Sequence, residues 1–219
     1  GKRILRMEVG EPDFTTPEHI NKAAYEAMKS GFTHYTSSRG ILELREAISE
    51  DLRERGIEAD PRNEIIVVPG GKHAIYCACF ATLNPGDEAL ILSPAWPTYQ
   101  TCVLAAGSRP VEVPTTGNYG LDEEALKKSV TRKTRMVIMN SPNSPTGGVL
   151  SEKEIKTIAD IAEDHDLFVL SDEIYDRIVY DGVKVRSIST FRGMKERTIV
   201  ANGFSKTYAM TGWRLGYAA

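Results

Sequence analysis

The chain has 219 residues, of which 41% are hydrophobic, 26% charged and 8% aromatic, with 27 Lys and Arg against 30 Asp and Glu and a formal charge of −3. That length suits one α/β domain or two small ones with a sizeable core, and the balanced charge offers no basic surface for nucleic acid. No apolar run reaches the roughly 18 residues of a membrane span and no signal-peptide pattern opens the chain, which disfavours a membrane protein, a secreted miniprotein and a disordered chain.

In chain order, Ile4–Val9 is an extended entry segment, and Pro17–Lys29 is a helix with Pro at its start and an apolar stripe at helical spacing. Gly40–Arg55 is a second amphipathic helix with Ile41, Leu44 and Ile48 on one face. The β-branched run Glu64–Val68 predicts a strand, and the turn Pro69-Gly70-Gly71 leads from it into an apolar helix ending near Leu83. Further strands are expected over Glu88–Leu92, Pro110–Val113, Met136–Asn140, Phe168–Ser171, Thr198–Ala201 and Arg214–Ala218. Helices are expected over Thr98–Ala106, Asp122–Ser129 and Glu152–Glu163. Several strands are continuous apolar runs, as when helices cover both faces of a sheet. The expectation is an α/β fold: a three-layer αβα sandwich on a mainly parallel, seven-stranded sheet, with binding at the carboxyl ends of its strands.

Cys77, Cys79 and Cys102 make an odd count, and helix geometry points the first two apart. They are expected as buried, reduced thiols in a cytoplasmic protein, and neither they nor the four histidines show metal spacing. Gly1 at the start and a strand that stops without turn or cap at Ala219 are expected of a chain cut from something longer.

The residues after the strand ends carry the chemistry. Pro69-Gly70-Gly71-Lys72-His73 is either an ordinary glycine turn or a helix N-terminus that holds an anion. Ser141-Pro142-Asn143-Ser144-Pro145 is either a plain loop or one whose prolines hold Asn143 or Ser144 towards a ligand. Asp172, at the end of a buried strand, needs something positive facing it, or else is an N-cap or a local ion pair; Tyr175 lies three residues on. Lys206 sits in a Ser/Thr/Gly-rich loop eight residues before Arg214, where a lone lysine would ordinarily be a solvated surface group.

The set GEPDF (Gly10–Phe14), PGGKHA, SPNSPTG, SDEIY and SKTYAMTGWRLGY, in that order from Gly10 to Tyr217, resembles the aspartate-aminotransferase-like family of pyridoxal-phosphate enzymes, class I/II, fold type I. The resemblance implies the cofactor-binding large domain over residues 41–219, preceded by an entry segment and helix over 1–40, with the C-terminal small domain absent from this chain. It implies that Lys206 carries pyridoxal 5'-phosphate as a Schiff base and moves the substrate proton, and that Asp172 keeps the pyridine nitrogen protonated. Tyr175 matches the hydroxyl on the cofactor's phenolic oxygen. Arg214, the backbone of Gly71, Lys72 and His73, and the Ser205 hydroxyl match phosphate donors. Trp96 matches the aromatic that stacks on the pyridine ring, or is an ordinary core tryptophan. Tyr35 matches a tyrosine reaching the neighbouring subunit's phosphate, which implies a homodimer with a shared site. The backbone of Gly10 matches a contact to the substrate carboxylate, while His73 and Arg39 either face substrate or are solvated.

Two positions depart from the family pattern. Gly203 stands where the family often has Ser, and Ser144 stands where Asn normally precedes the second Pro, so either Ser144 or Asn143 contacts the cofactor. The activity implied is transfer of the amino group of an aspartate-, aromatic- or alanine-type amino acid to a 2-oxo acid. Two alternatives share the fold: a β-lyase or decarboxylase, and an aminotransferase-like sensor domain of a transcription regulator. Neither a nucleic acid nor a membrane is an expected partner of the chain itself.

Overall fold

A computed structural model describes residues 9–219. Residues 4–8 of the expected entry segment lie outside the described residues, and Val9 is an exposed bend. The described chain contains β1 (Ile66–Val68), β2 (Glu88–Ser93), β3 (Arg109–Pro114), β4 (Thr134–Asn140), β5 (Phe168–Asp172), β6 (Thr198–Gly203) and β7 (Gly216–Ala218). They form one seven-stranded sheet in the order β1-β7-β6-β5-β4-β2-β3. Strands β2 to β6 run parallel, and β7 lies antiparallel between β1 and β6. Six α-helices accompany them: α1 (Glu18–Lys29), α2 (Leu42–Glu54), α3 (Gly71–Thr82), α4 (Thr98–Ala105), α5 (Glu123–Ser129) and α6 (Glu152–Asp164).

The apolar strands are sorted by their two-residue period into two cores. Ala89, Ile91, Met136, Ile138 and Leu170 face α3 and α4, packing with Ile75, Cys79, Tyr99 and Val103. Leu90, Leu92, Val137, Met139 and Val169 face the other way, against Leu126 of α5 and Ile155 and Ile158 of α6. A smaller cluster joins Ile48 and Leu52 of α2 to Ile65 and Tyr217 at the β1–β7 end. Burial of one such Leu or Ile is worth about 1.5–3 kcal/mol, and no position of α1 takes part in these cores. The three layers and the mainly parallel sheet are thus those expected from the apolar runs.

Two local expectations differ. Cys79 and Cys102 are buried and free, but Cys77 is exposed, because the helix carries it to the opposite face from Cys79. Arg214 does not open a strand: it follows a 3-10 turn over Thr211–Trp213 and adopts φ 53°, in the left-handed region.

The sheet topology brings the interesting residues to one edge. Since β7 is antiparallel to β1 and β6, its beginning lies beside their carboxyl ends, with Gly216 in register with both Val68 and Gly203. A Cβ on Gly216 would stand 2.5 Å from the Gly71 nitrogen and 2.7 Å from the Gly70 carbonyl carbon. Backbone, not a flexible side chain, blocks that space. Gly216→Ala is therefore expected to lower unfolding free energy in urea by about 1–3 kcal/mol, the usual cost of overpacking. Gly117→Ala, which meets nothing within 4 Å, is the matched control and should leave stability unchanged.

Candidate active site

Asp172 is the last residue of β5, in register with Asn140 on one side and Ala201 on the other. It is only 4% exposed. Oδ2 accepts the Tyr99 hydroxyl at 2.7 Å and Oδ1 accepts the Ile174 backbone N–H at 3.2 Å. Among the described residues, no Lys or Arg forms an ion pair with it. Burial pushes its pKa up to about 6 despite the Tyr99 and Ile174 bonds; nearby Glu173 adds to the rise and Lys206 opposes it. Asn140 braces the strand end, donating Nδ2–H to the Asp172 carbonyl at 2.9 Å and accepting the Ser144 N–H at 2.8 Å.

Sequence reasoning missed Tyr99. Burial and the adjacent Asp172 carboxylate hold its phenol far above the usual range, so it remains a donor. The available signal was position: Tyr99 lies one turn beyond Trp96 on the buried face of α4, and a buried phenol needs a polar partner. Trp96 itself is half-buried, edge-on to Tyr99 at 5.8 Å between centroids, with Lys72 Nζ 5.0 Å from its own ring centroid. It is packed against the core and also flanks Tyr99, the partner of Asp172.

Lys206 is brought to the same end of the sheet. Its Nζ donates to the Gly10 carbonyl and lies 5.8 Å from the Tyr175 ring centroid. Burial lowers its pKa, Glu11 counters that, Arg214 lowers it further and Asp172 raises it. Tyr175 faces Gly10 as well: a Cβ there would be 3.6 Å from the Tyr175 hydroxyl. Burial raises the Tyr175 pKa, and the nearby Ser144 side chain tempers the rise. The 10–16 segment is tied across the Lys206 loop by Thr211 to Glu11 at 2.6 Å, Thr16 to the Ala209 carbonyl at 2.6 Å, and Trp213 to Thr16 at 3.1 Å.

A second feature adjoins these groups. Gly70 is the N-cap of helix α3, with φ 83° and no side-chain cap. The Arg214 guanidinium lies directly over Gly70, so a Cβ there would be 2.3 Å from Nη2 and 2.9 Å from Cζ. Arg214 Nη1 also donates to the Thr211 carbonyl at 2.8 Å. An open cleft of about 580 Å³ borders this junction, lined by Pro69, Lys72, His73, Tyr76, Thr101 and Arg214 among others. Ser205 is half-buried in the loop just before Lys206. Gly203 has a local reason: a Cβ would come within 3.1 Å of the Gly216 Cα and the Leu215 carbonyl, leaving little room for the Ser expected there.

The remaining expected residues divide. Asn143 uses its Oδ1 inside its own loop, on the Thr146 N–H at 3.2 Å and hydroxyl at 2.8 Å. His73 stacks on Tyr76 at 6.0 Å along the exposed face of α3. Arg39 donates to the Arg62 carbonyl at 2.9 Å. Tyr35 is fully exposed.

Known proteins place the chain in a family. The family model described as aminotransferase class I and II matches residues 2–219. The chain is 50% identical to the aromatic-amino-acid aminotransferase 2 of Thermococcus litoralis, covering 99% of this chain and 56% of that protein. It is also 50% identical to the aspartate aminotransferase of Pyrococcus abyssi, covering 100% of this chain and 57% of that one. A crystal structure of an aromatic aminotransferase from Pyrococcus horikoshii superposes with a TM-score of 0.95 at 51% identity, over 96% of this chain and 57% of that one. The chain belongs to the class I and II aminotransferase family, with the fold of its type I members, and the family's cofactor is pyridoxal phosphate. It spans about half the length of the curated relatives it matches.

The unpaired carboxylate gives a test in the cofactor-free protein. Because the folded pKa of Asp172 lies above its ordinary 3.8, the native state binds more protons between pH 4 and 6, and this group's contribution to stability falls as pH rises through that window. Asp172→Asn removes the slope. Relative to wild type it should gain about 3 kcal/mol on going from pH 4 to pH 7, from a shift of roughly two pH units. Paired urea titrations across that range check it; parallel curves for the two proteins would contradict the buried, unpaired state.

Proposed function

We propose that this chain is the cofactor-carrying part, over residues 41–219, of an aminotransferase that moves the amino group of an α-amino acid to a 2-oxo acid. Residues 1–40 act as an entry arm, of which the Gly10 segment lies against Lys206. The observation that carries the reading is the convergence of a buried carboxylate lacking a cation, a half-buried lysine and an arginine laid over a bare helix N-terminus. These fit pyridoxal phosphate: Asp172 suits a protonated ring nitrogen, and the Gly70 cradle with Arg214, the N–H groups of Gly71 and Lys72, and Ser205 suits a phosphate, whereas the His73 N–H expected beside them already donates to the Gly70 carbonyl at 3.0 Å. Trp96 offers an aromatic wall beside them.

When bound, the cofactor supplies an electron-withdrawing ring that accepts electron density from the bond broken at the substrate Cα. Asp172 holds a proton at the ring nitrogen, and its ionisation becomes favourable because a positive charge then faces it. Tyr99 keeps that carboxylate in place. Lys206, with its pKa lowered by burial, would hold the cofactor and, when free, would take up a proton as the neutral amine and return it as the ammonium. Tyr175, supported by Ser144 rather than by Asn143, donates towards the phenolic oxygen. The Gly10 backbone is placed to meet a substrate carboxylate.

Relatives named for aspartate and for aromatic amino acids support substrates of those classes. They also favour amino transfer over elimination, decarboxylation or a regulator's sensor domain. The exposure of Tyr35, and of Phe14 and Phe32 in the same N-terminal part of the chain, supports a homodimer in which Tyr35 reaches the partner's phosphate site. Free thiols and the absence of a membrane-crossing helix among the described residues suit a cytoplasmic protein.

The experiment loads the full-length protein with pyridoxal phosphate, reduces it with borohydride and maps the labelled peptide. The label is expected on Lys206, and Lys206→Ala should abolish both label and amino transfer from aspartate or tyrosine to 2-oxoglutarate. Labelling of another lysine, or turnover surviving in Lys206→Ala, would overturn the assignment.

A further inference from the structure

We infer that Arg55 is a positioning residue for the candidate site: through buried Glu173 and Asp176 it fixes the turn that presents Asp172 and Tyr175 to Lys206. The inference rests on the site reading above and deepens it.

The turn after β5 divides its side chains between two sides. Asp172 and Tyr175 face Lys206, while Glu173 and Asp176, each the next residue in the chain, meet Arg55 behind them. Glu173 is 2% exposed. Its Oε2 accepts Arg55 Nη2–H, and its Oε1 accepts the hydroxyls of Ser171 at 2.9 Å and Ser187 at 2.6 Å. Asp176 Oδ2 lies 2.8 Å from Arg55 Nη1 and accepts the Asn202 side-chain amide at 3.2 Å. One guanidinium at the end of α2 thus sits between two buried carboxylates.

The charge accounting makes Arg55 indispensable to that geometry. Burial pushes the Asp176 pKa up, Arg55 pulls it down and Glu173 pushes it up again. Without Arg55, two carboxylates would face each other in a poorly solvated space, and one must either take a proton or swing outwards. Swinging Asp176 outwards moves Tyr175, and moving Glu173 moves Asp172, because each pair shares a peptide plane. Helix α2 also holds Arg177 through Asp51, so the turn is gripped along its length from one helix. A buried ion cluster is a weak source of stability compared with apolar packing, which leaves orientation as what this one supplies.

The test uses the full-length protein loaded with pyridoxal phosphate and compares wild type, Arg55→Met and Arg55→Lys. Readouts are the pH midpoint of the bound cofactor's visible absorbance change, kcat and KM. Arg55→Met is expected to move the midpoint by about one pH unit or more, a tenfold change in proton affinity, and to lower kcat by a similar factor with KM within about threefold. Arg55→Lys should recover most of both. If Arg55→Met does not fold, Glu173→Gln and Asp176→Asn, which keep shape and Arg55 but drop one charge each, should shift the midpoint without loss of folded protein. Arg186→Met, which removes an exposed pair with Glu152, is the silent control. Variants that lose only thermal stability while keeping the wild-type midpoint and kcat would overturn the inference. A wild type that shows no cofactor band would instead overturn the site reading on which it rests.

Discussion

A carboxylate buried at the end of a parallel strand, with hydrogen bonds but no ion-pair partner among the described residues, is the constraint on which this structure turns. Asp172 lies where water cannot reach it, so its ionised form is costly until a cation arrives. Its surroundings are built to accept that cation and not to supply it. Tyr99 and the Ile174 N–H fix the direction of the carboxylate, Asn140 fixes the strand end, and Lys206 donates to the Gly10 carbonyl instead.

The second half of the site depends on how closely backbone can approach backbone. Gly216 lets α3 descend onto the end of β7, Gly203 lets β6 pass beside it, and Gly70 leaves its Cβ position to the Arg214 guanidinium. Arg214 reaches there from a left-handed backbone conformation, uncommon for a residue with a Cβ. These close contacts make a cradle of N–H groups and one guanidinium. Sheet and cradle are therefore one construction: the antiparallel insertion of β7 into a parallel sheet is what sets Arg214 opposite the start of α3.

Much of this was legible in the residues. The apolar runs predicted all seven strands to within a few residues, since strands covered on both faces have no polar period to confuse the reading. The strand ends pointed to Gly70, Asp172, Tyr175 and Lys206 because polar residues after buried strands demand a reason. What escaped was pairing over distance. Tyr99 and Asp172 are 73 positions apart, and Arg55 and Glu173 are 118 apart, so nothing local signals either contact. The bonds of Asn143 within its own loop also escaped, because they depend on Thr146 meeting the Asn143 side chain after the chain turns. Arg39 and His73 looked equally able to face substrate or solvent until a carbonyl and a tyrosine ring were found beside them.

The state of Asp172 is the most direct measure of whether the site is organised in this way. Carbon-13 NMR of the aspartate carboxyls, assigned by comparison with Asp172→Asn, can follow its titration with and without bound pyridoxal phosphate. The account predicts a midpoint near the value of about 6 without the cofactor, and a fall of roughly two units or more once a protonated ring nitrogen faces the carboxylate. An ordinary midpoint in the cofactor-free protein, or one that loading leaves unmoved, would contradict it.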